Sequence, residues 1–139
     1  MQSFVLDVSA CLPWCYEDEQ TPFSDQLLDL AATGSQLHVP SIWPLEIVNA
    51  LIQGVRRKRL PAERATEFLE QLKALSFHID PSPTLTEMPR LLELASRHQL
   101  TSYDAAYLDL AIRTGLPLAS LDDALRKAAI AEKVALVGG

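Results

Sequence analysis

The sequence predicts an α/β fold with a mainly parallel sheet of about five strands flanked by about seven helices. Short apolar runs alternate with longer segments whose apolar residues recur at helical spacing. Such alternation is typical of a parallel sheet covered by helices. No linker, low-complexity tract or repeat divides the 139 residues. We therefore treat residues 1–139 as one domain.

The predicted strands are short apolar runs bounded by turn residues. They cover residues 3–7, 37–39, 77–79, 117–120 and 134–137. Runs of this kind are expected where helices bury a strand on both faces. The sheet should therefore form the centre of the domain.

Helix boundaries follow from capping residues, proline and glycine. The chain should form helices over approximately residues 9–17, 22–33, 42–57, 61–75, 88–99, 103–114 and 122–129. Thr21 before Pro22 marks the start of the second helix, and Gly34 marks its end. Ser102 is expected to cap the sixth helix, which Gly115 closes.

Composition and charge narrow the possible functions. The hydrophobic fraction of 48% is that of a globular protein, in which Cys11 and Cys15 are expected to lie in the core. A net charge of −6 argues against nonspecific nucleic-acid binding, which depends on cationic contacts to phosphate. No apolar run approaches the roughly 20 residues that span a bilayer, and the N-terminus lacks the features of a signal peptide. We expect a cytoplasmic protein.

Four acidic residues stand where a buried element meets a turn or a helix start: Asp7, Glu46, Asp104 and Asp122. Asp7 ends the first strand and Asp122 follows the fourth, at the edge where open α/β sheets bind ligands. Glu46 and Asp104 lie in the first turns of helices, where negative charge is favoured. A local role would explain each acid alone, but Asp is a poor residue for ending a buried strand.

Acids gathered at one edge of a sheet need compensating positive charge. Two carboxylates about 4 Å apart repel each other by about 4 kcal/mol at an effective dielectric constant of about 20. A metal ion, a proton or a cationic side chain removes that repulsion. Carboxylate oxygens without neighbouring Cys or His ligands favour Mg²⁺ or Mn²⁺, and such sites suit phosphoryl chemistry.

Four sequence blocks around these acids resemble those of a known family. They read VLDVSA at residues 5–10, EIVNAL at 46–51, LTSYDAAYL at 100–108 and LASLD at 118–122. In this order and at these spacings they resemble PIN-domain ribonucleases, and in particular the VapC-type toxins of bacterial toxin–antitoxin pairs. The resemblance covers nearly the whole chain and implies a PIN-type α/β fold.

The resemblance also implies an activity and a site. The activity is that of an endoribonuclease that depends on Mg²⁺ or Mn²⁺ and leaves a 3′-hydroxyl and a 5′-phosphate. The residues that match the family's catalytic and metal-binding acids are Asp7, Glu46, Asp104 and Asp122. Of these, Asp7 and Asp104 match direct metal ligands.

Two supporting residues and one ambiguity accompany the four acids. Ser120 matches a hydroxyl residue beside the family's site, and Asn49 lies one helical turn after Glu46. The last block contains both Asp122 and Asp123. Asp122 is preferred as the fourth acid because it lies two residues after Ser120, as the family's hydroxyl–x–Asp spacing requires.

The resemblance further implies three partners: an RNA substrate, a cognate antitoxin of the VapB type and a second copy in a homodimer. It implies no association with a membrane. An antitoxin could inhibit by placing an Arg or Lys among the acids. The basic run consists of Arg56, Arg57, Lys58 and Arg59. This run either contacts the RNA backbone or is a solvated helix end, where cations are favoured.

The other ring-bearing residues near these motifs have simpler interpretations. His38, His78 and His98 lie on different predicted elements without metal-ligand spacing, and we expect structural or surface roles. Tyr103 and Tyr107 are one helical turn apart beside the third block. We expect both to pack between helices.

Other protein classes fit the sequence less well. The main alternative is a catalytically inactive PIN-like module that binds protein or RNA. A receiver domain would need an acidic pair after the first strand, and a haloacid-dehalogenase-type phosphatase would need Asp-x-Asp there, whereas Asp7 is followed by Val8 and Ser9. A structure-specific DNA nuclease would share the acids, but the short chain lacks obvious arch or clamp insertions.

Overall fold

The computed structural model describes residues 2–138 and contains a four-stranded, entirely parallel sheet in that range. The strands are β1 (Phe4–Leu6), β2 (Leu37–Pro40), β3 (Phe77–Asp80) and β4 (Leu118–Ala119). Their order across the sheet is β3-β2-β1-β4. The α/β class with a parallel sheet is therefore confirmed, with β1 and β2 at its centre.

The expected fifth strand at residues 134–137 is wrong in extent. The segment forms an isolated parallel bridge, in which the Leu118 amide donates to the Ala135 carbonyl at 2.8 Å and the Val137 amide donates to the Leu118 carbonyl at 2.9 Å. It begins after Lys133 (φ 62°) and ends before Gly138 (φ 81°). Because these two left-handed residues flank it, the extended segment is short and forms a single bridge.

Seven α-helices lie within residues 2–138, as expected. They are α1 (Val8–Cys11), α2 (Pro22–Ala32), α3 (Trp43–Arg56), α4 (Ala62–Lys73), α5 (Met88–His98), α6 (Ser102–Thr114) and α7 (Asp123–Ala131). Three short 3₁₀ helices cover Leu12–Trp14, Glu17–Glu19 and Leu85–Glu87.

The first helix is shorter than expected because of Pro13. Instead of continuing through residue 17, α1 ends at Cys11 and passes into the 3₁₀ helix that contains Pro13. Proline has no amide hydrogen, and its ring clashes with the carbonyl four residues earlier, so it ends an α-helix here. Cys11 and Cys15 are both buried and free, as expected from their apolar character.

The helix that carries Asp104 is fixed at both ends. Its N-cap is Thr101, one residue before the expected Ser102, and the Thr101 hydroxyl accepts a hydrogen bond from the Asp104 amide at 3.1 Å. Gly115 ends the helix in a left-handed conformation with φ 70°. The cap therefore places Asp104 in the first turn, close to the positive end of the helix dipole.

The core is centred on β1 and on the helix α6 that packs against it. All three residues of β1 are fully buried, as are Tyr107 and Leu108 of α6, which packs against β1 and β2. A polar side chain in this layer is costly unless it finds a hydrogen-bond partner. Within residues 2–138, no helix has the length and apolarity needed to cross a membrane.

A buried charge network stabilises the C-terminal part of α6, and no pattern in the sequence indicated it. Asp109 is buried and accepts hydrogen bonds from Arg90 at 2.8 Å and from Arg113 at 2.7 Å. Arg113 also donates to Asp80 at 2.8 Å. The network ties α6 to α5 and to the end of β3, and such partners are what make a buried carboxylate tolerable.

Candidate functional site

The acidic site lies at the carboxyl edge of the sheet. β1 pairs with β4 through Leu6 and Ala119, so that the residues that follow these strands, Asp7 and Ser120, come side by side. The Asp7 amide donates to the Ala119 carbonyl at 3.0 Å and extends this pairing to the edge of the site. Parallel pairing therefore brings together residues more than a hundred positions apart in sequence.

Two serine hydroxyls hold the Asp7 carboxylate. Its Oδ2 accepts hydrogen bonds from Ser9 Oγ at 2.6 Å and from Ser120 Oγ at 2.7 Å. Each serine oxygen is fixed in turn by a backbone amide, from Leu121 to Ser9 at 2.9 Å and from Asp122 to Ser120 at 3.0 Å. The side chain of Asp7 is thus held in one orientation by the two strand ends.

Burial dominates the electrostatics of Asp7, which is only 5% exposed. Loss of solvent raises the pKa of its carboxyl above the usual value, and the negative charge of Asp122 raises it further. The hydrogen bonds from Ser9, Ser120 and the Val8 amide oppose this rise. The site therefore combines a costly buried charge with donors that partly offset the cost.

Glu46 enters the site from the first turn of α3. Its Oε1 accepts a hydrogen bond from the Tyr107 hydroxyl of α6 at 2.6 Å. Partial burial raises the pKa of Glu46, and the charges of Asp7 and Asp104 add to the rise, whereas the bond from Tyr107 lowers the pKa. Burial and the neighbouring Glu46 charge raise the pKa of the Tyr107 phenol, which stays a neutral donor.

Asp104 and Asp122 complete the acidic group. Partial burial raises the pKa of Asp104, and the charges of Asp122 and Asp7 raise it further. Asp122 is the N-cap of α7, where its Oδ1 accepts a hydrogen bond from the Leu125 amide at 2.9 Å. Asp123 lies in the first turn of the same helix and is exposed.

The four acids thus influence one another electrostatically without forming a closed ligand shell. The charge of Asp122 contributes to the raised pKa values of Asp7 and Asp104, and the charges of Asp7 and Asp104 contribute to the raised pKa of Glu46. Among residues 2–138, no three His, Cys, Asp or Glu side chains lie close enough in these conformations to hold one metal ion. The electrostatic coupling acts over longer distances than direct coordination.

The other residues expected at the site are more dispersed. Asn49 is exposed on α3, one turn after Glu46. The basic run is divided by its contacts: Arg56 borders a groove between α3 and α4, whereas Arg59 donates to Glu19 at 2.8 Å and lies over the Tyr16 ring. The structure therefore does not present the run as one continuous cationic surface.

Ser9 and Tyr107 are site residues whose contacts the sequence did not reveal. The sequence placed Ser9 only at the start of the first predicted helix, and Tyr107 was expected only to pack between helices. The same expectation for Tyr103 is wrong, because Tyr103 is 56% exposed. Spacing offered a usable signal in both cases. Ser9 follows Asp7 by two residues on the same turn, and Tyr107 follows Asp104 by one helical turn.

Comparisons with known proteins identify the family. A PIN domain model matches residues 4–131, and the chain therefore belongs to the PIN-domain family. Ribonuclease VapC3 of Pyrobaculum aerophilum is 32% identical over 123 residues, which make up 85% of this chain and 88% of that protein. The resemblance to VapC-type PIN domains is thus confirmed.

A solved structure supports the same fold. The crystal structure of PAE2754 from Pyrobaculum aerophilum superposes with a TM-score of 0.71 and 22% sequence identity. The match covers 91% of this chain and 84% of that one. At this level of identity the likeness shows the fold alone.

The electrostatics of the site predict an unusual effect on stability. We expect Asp104→Asn to raise the free energy of unfolding of the metal-free protein at pH 7, by less than about 1 kcal/mol because solvent screens this partly exposed carboxyl. The pKa of Asp104 is raised in the folded state, so its charged form opposes folding. The gain should shrink as the pH falls through the folded-state pKa toward about 4, because the wild-type carboxyl is then protonated as well.

Denaturant unfolding in EDTA at several pH values measures this effect. Asp123→Asn is the matched control, because Asp123 lies in the first turn of α7 and is exposed. We expect no stabilisation in the control, since removing an acid from a helix N-terminus is neutral or unfavourable. A loss of stability in Asp104→Asn at every pH would contradict the prediction.

Proposed function

We propose that this protein is a metal-dependent endoribonuclease and the toxin of a VapBC-type toxin–antitoxin pair. The proposed catalytic and metal-binding residues are Asp7, Glu46, Asp104 and Asp122. The observation that carries the proposal is that acids at the end of β1 and at the starts of α3, α6 and α7 lie at one edge of the sheet, and their charges contribute to the raised pKa values of Asp7, Glu46 and Asp104. The relation to Ribonuclease VapC3 supports this reading, and an RNA substrate would place the protein in the cytoplasm.

The chemistry of the donors fits Mg²⁺ or Mn²⁺. The acids offer hard carboxylate oxygens, and the buried Asp7 carries a charge that the two serine hydroxyls only partly offset. Asp7 and Asp104 would be direct ligands, with Glu46 and Asp122 holding further oxygens of the site. When bound, the metal supplies positive charge to the scissile phosphate and makes a bound water more acidic.

Other steps of the proposed reaction would depend on side chains of the protein itself. Ser9 and Ser120 fix Asp7, so that its carboxylate needs little reorganisation during the reaction. Glu46 would orient the attacking water and accept its proton, and its raised pKa suits a general base. The water oxygen would bond to phosphorus as the P–O3′ bond breaks, and the leaving O3′ would take up a proton from solvent. The products would be a 3′-hydroxyl and a 5′-phosphate.

RNA must approach a chain with a net charge of −6, so local cations matter. We propose that the run Arg56, Arg57, Lys58 and Arg59 contacts the RNA backbone. Arg57 and Lys58 carry this proposal best, because both are exposed, whereas Arg59 is engaged by Glu19. Asn49 is proposed as a supporting residue that orients Glu46 or a water molecule.

The proposed antitoxin would use apolar and charged contacts. A groove of about 310 Å³ between α3 and α4 is lined mainly by apolar side chains, including Val48, Ile52 and Leu69. A basic side chain of the same partner could neutralise the acids. For the homodimer, we propose a contact that includes the exposed apolar side chains of Leu85 and Leu92, which are 84% and 71% exposed.

The nuclease proposal predicts loss of activity without loss of structure. Asp7→Asn and Asp104→Asn should each lower the rate of RNA cleavage in Mn²⁺ by about 100-fold or more, because Asn keeps the shape but not the charge. EDTA should abolish wild-type cleavage. Asp122→Asn should also be inactive although Asn is an equally good N-cap, whereas Asp123→Asn should remain active.

These variants also test the register and the alternative function. Inactive Asp123→Asn beside active Asp122→Asn would move the fourth acid by one residue. Cleavage unaffected by any of these substitutions and by EDTA would contradict the metal-dependent site. Stable RNA binding without cleavage in the wild type would instead favour a catalytically inactive PIN-like binding module.

The basic run predicts a change in salt dependence. Arg57→Gln combined with Lys58→Asn should lower the slope of log binding constant against log salt by about 0.7 for each lost phosphate contact with single-stranded RNA. Asn is suitable at position 58 because the backbone there is left-handed, with φ 60°. Fluorescence anisotropy with a labelled RNA measures the slope in the inactive Asp7→Asn background.

Lys73→Ala is the control for that experiment, since Lys73 is an exposed cation on α4 that pairs with Glu70. Its slope should equal that of the background. Equal slopes for the double variant and the control would remove the basic run from the RNA site.

The partner proposals predict growth arrest and a defined assembly state. Induced expression of this chain alone should arrest growth, and co-expression with the neighbouring reading frame should restore growth. Expression of the Asp7→Asn variant should not arrest growth.

The homodimer is tested by sedimentation velocity. The wild-type protein should sediment as a dimer, and Leu92→Glu should dissociate it, because the substitution buries a charge in the contact. Unimpaired growth of cells that contain the folded chain, or a wild-type monomer at micromolar concentration, would contradict the respective proposal.

A further inference from the structure

We propose that the Tyr107 hydroxyl is a positioning group for Glu46, a role that rests on the proposed nuclease function. The hydroxyl donates to Glu46 Oε1 at 2.6 Å. It would hold the carboxylate in its observed orientation, so that Glu46 does not have to be ordered when substrate binds.

The surroundings of Tyr107 make this bond specific. The side chain is 0% exposed, and within residues 2–138 Glu46 is the sole hydrogen-bond partner of its hydroxyl. A buried phenol is normally retained only where its hydroxyl finds a partner. The core could have accommodated Phe at this position, so the hydroxyl points to a role beyond filling volume.

The placement of Tyr107 also connects two of the site's elements. Tyr107 lies on α6 one turn after Asp104, and Glu46 lies on α3. The hydrogen bond therefore fixes the distance between the helix that carries one acid and the side chain that supplies another. Glu has three rotatable side-chain bonds, and a short charge-assisted bond from a rigid, buried ring removes much of that freedom.

A purely structural role for Tyr107 makes different predictions. If the ring only fills the core, Tyr107→Phe would retain the packing and leave the behaviour of Glu46 unchanged. If the hydroxyl positions Glu46, the same substitution would affect Glu46 specifically. Loss of a group that orients a site residue typically lowers metal affinity or activity by about 10- to 100-fold.

The test combines RNA cleavage with a measurement that needs neither metal nor RNA. We expect Tyr107→Phe to lower kcat by about 10- to 100-fold while KM for RNA changes by less than about 3-fold. In the Glu46→Gln background the same substitution should cost much less, because the two residues act as one unit. In the metal-free protein, ¹³C relaxation should show that the Glu46 side chain becomes more mobile in Tyr107→Phe.

Tyr16→Phe is the matched control. Tyr16 is also buried, but among the described residues its hydroxyl makes only a long contact of 3.5 Å, to the Ala50 carbonyl. We expect wild-type kcat and unchanged Glu46 relaxation in this variant. Thermal unfolding of all variants separates a local effect from a loss of folding.

The outcomes distinguish failure of the positioning role of Tyr107 from failure of the proposed nuclease function. Unchanged Glu46 relaxation in a folded Tyr107→Phe protein would overturn the positioning role, whatever the activity. A wild-type kcat in Tyr107→Phe, with Asp7→Asn inactive, would overturn it as well and leave the nuclease intact. Increased Glu46 mobility in a protein without any nuclease activity would show that the proposed function, and not the contact, has failed.

Discussion

Repulsion among carboxylates at the carboxyl edge of the sheet is the constraint that shapes the rest of this structure. Asp7 follows a fully buried strand and is itself almost inaccessible to water. Burial and the neighbouring acids raise the pKa values of Asp7, Glu46 and Asp104 together. A fold that keeps such groups charged gives up stability, which is common at sites selected for function.

The surrounding elements limit this cost in a consistent way. Ser9, Ser120 and Tyr107 each direct a hydroxyl at a carboxylate. Asp104 lies in the first turn of a helix, where the backbone amides favour negative charge. These donors lower the cost of burying the acids without neutralising them.

The rest of the domain holds these donors in place. The parallel pairing of β1 with β4 places Ser120 beside Asp7, and the network around Asp109 fastens the far part of α6 to α5 and β3. Helix α6 thus carries Asp104 and Tyr107 on a support that is anchored on two sides. Precise placement of a site requires such rigid elements rather than flexible loops.

The sequence by itself determined the parallel α/β class, most element positions and the residues that could form an acidic edge, because these follow from local periodicity, caps and strand ends. It did not determine that the predicted fifth strand is only a single bridge or that α1 ends early. It also did not determine the partners of Asp109 or the contacts of Ser9 and Tyr107. Those depend on how distant segments pack, and hydrogen bonds such as that between Tyr107 and Glu46 join residues whose proximity no local pattern records. The tertiary structure alone decided which side chains meet.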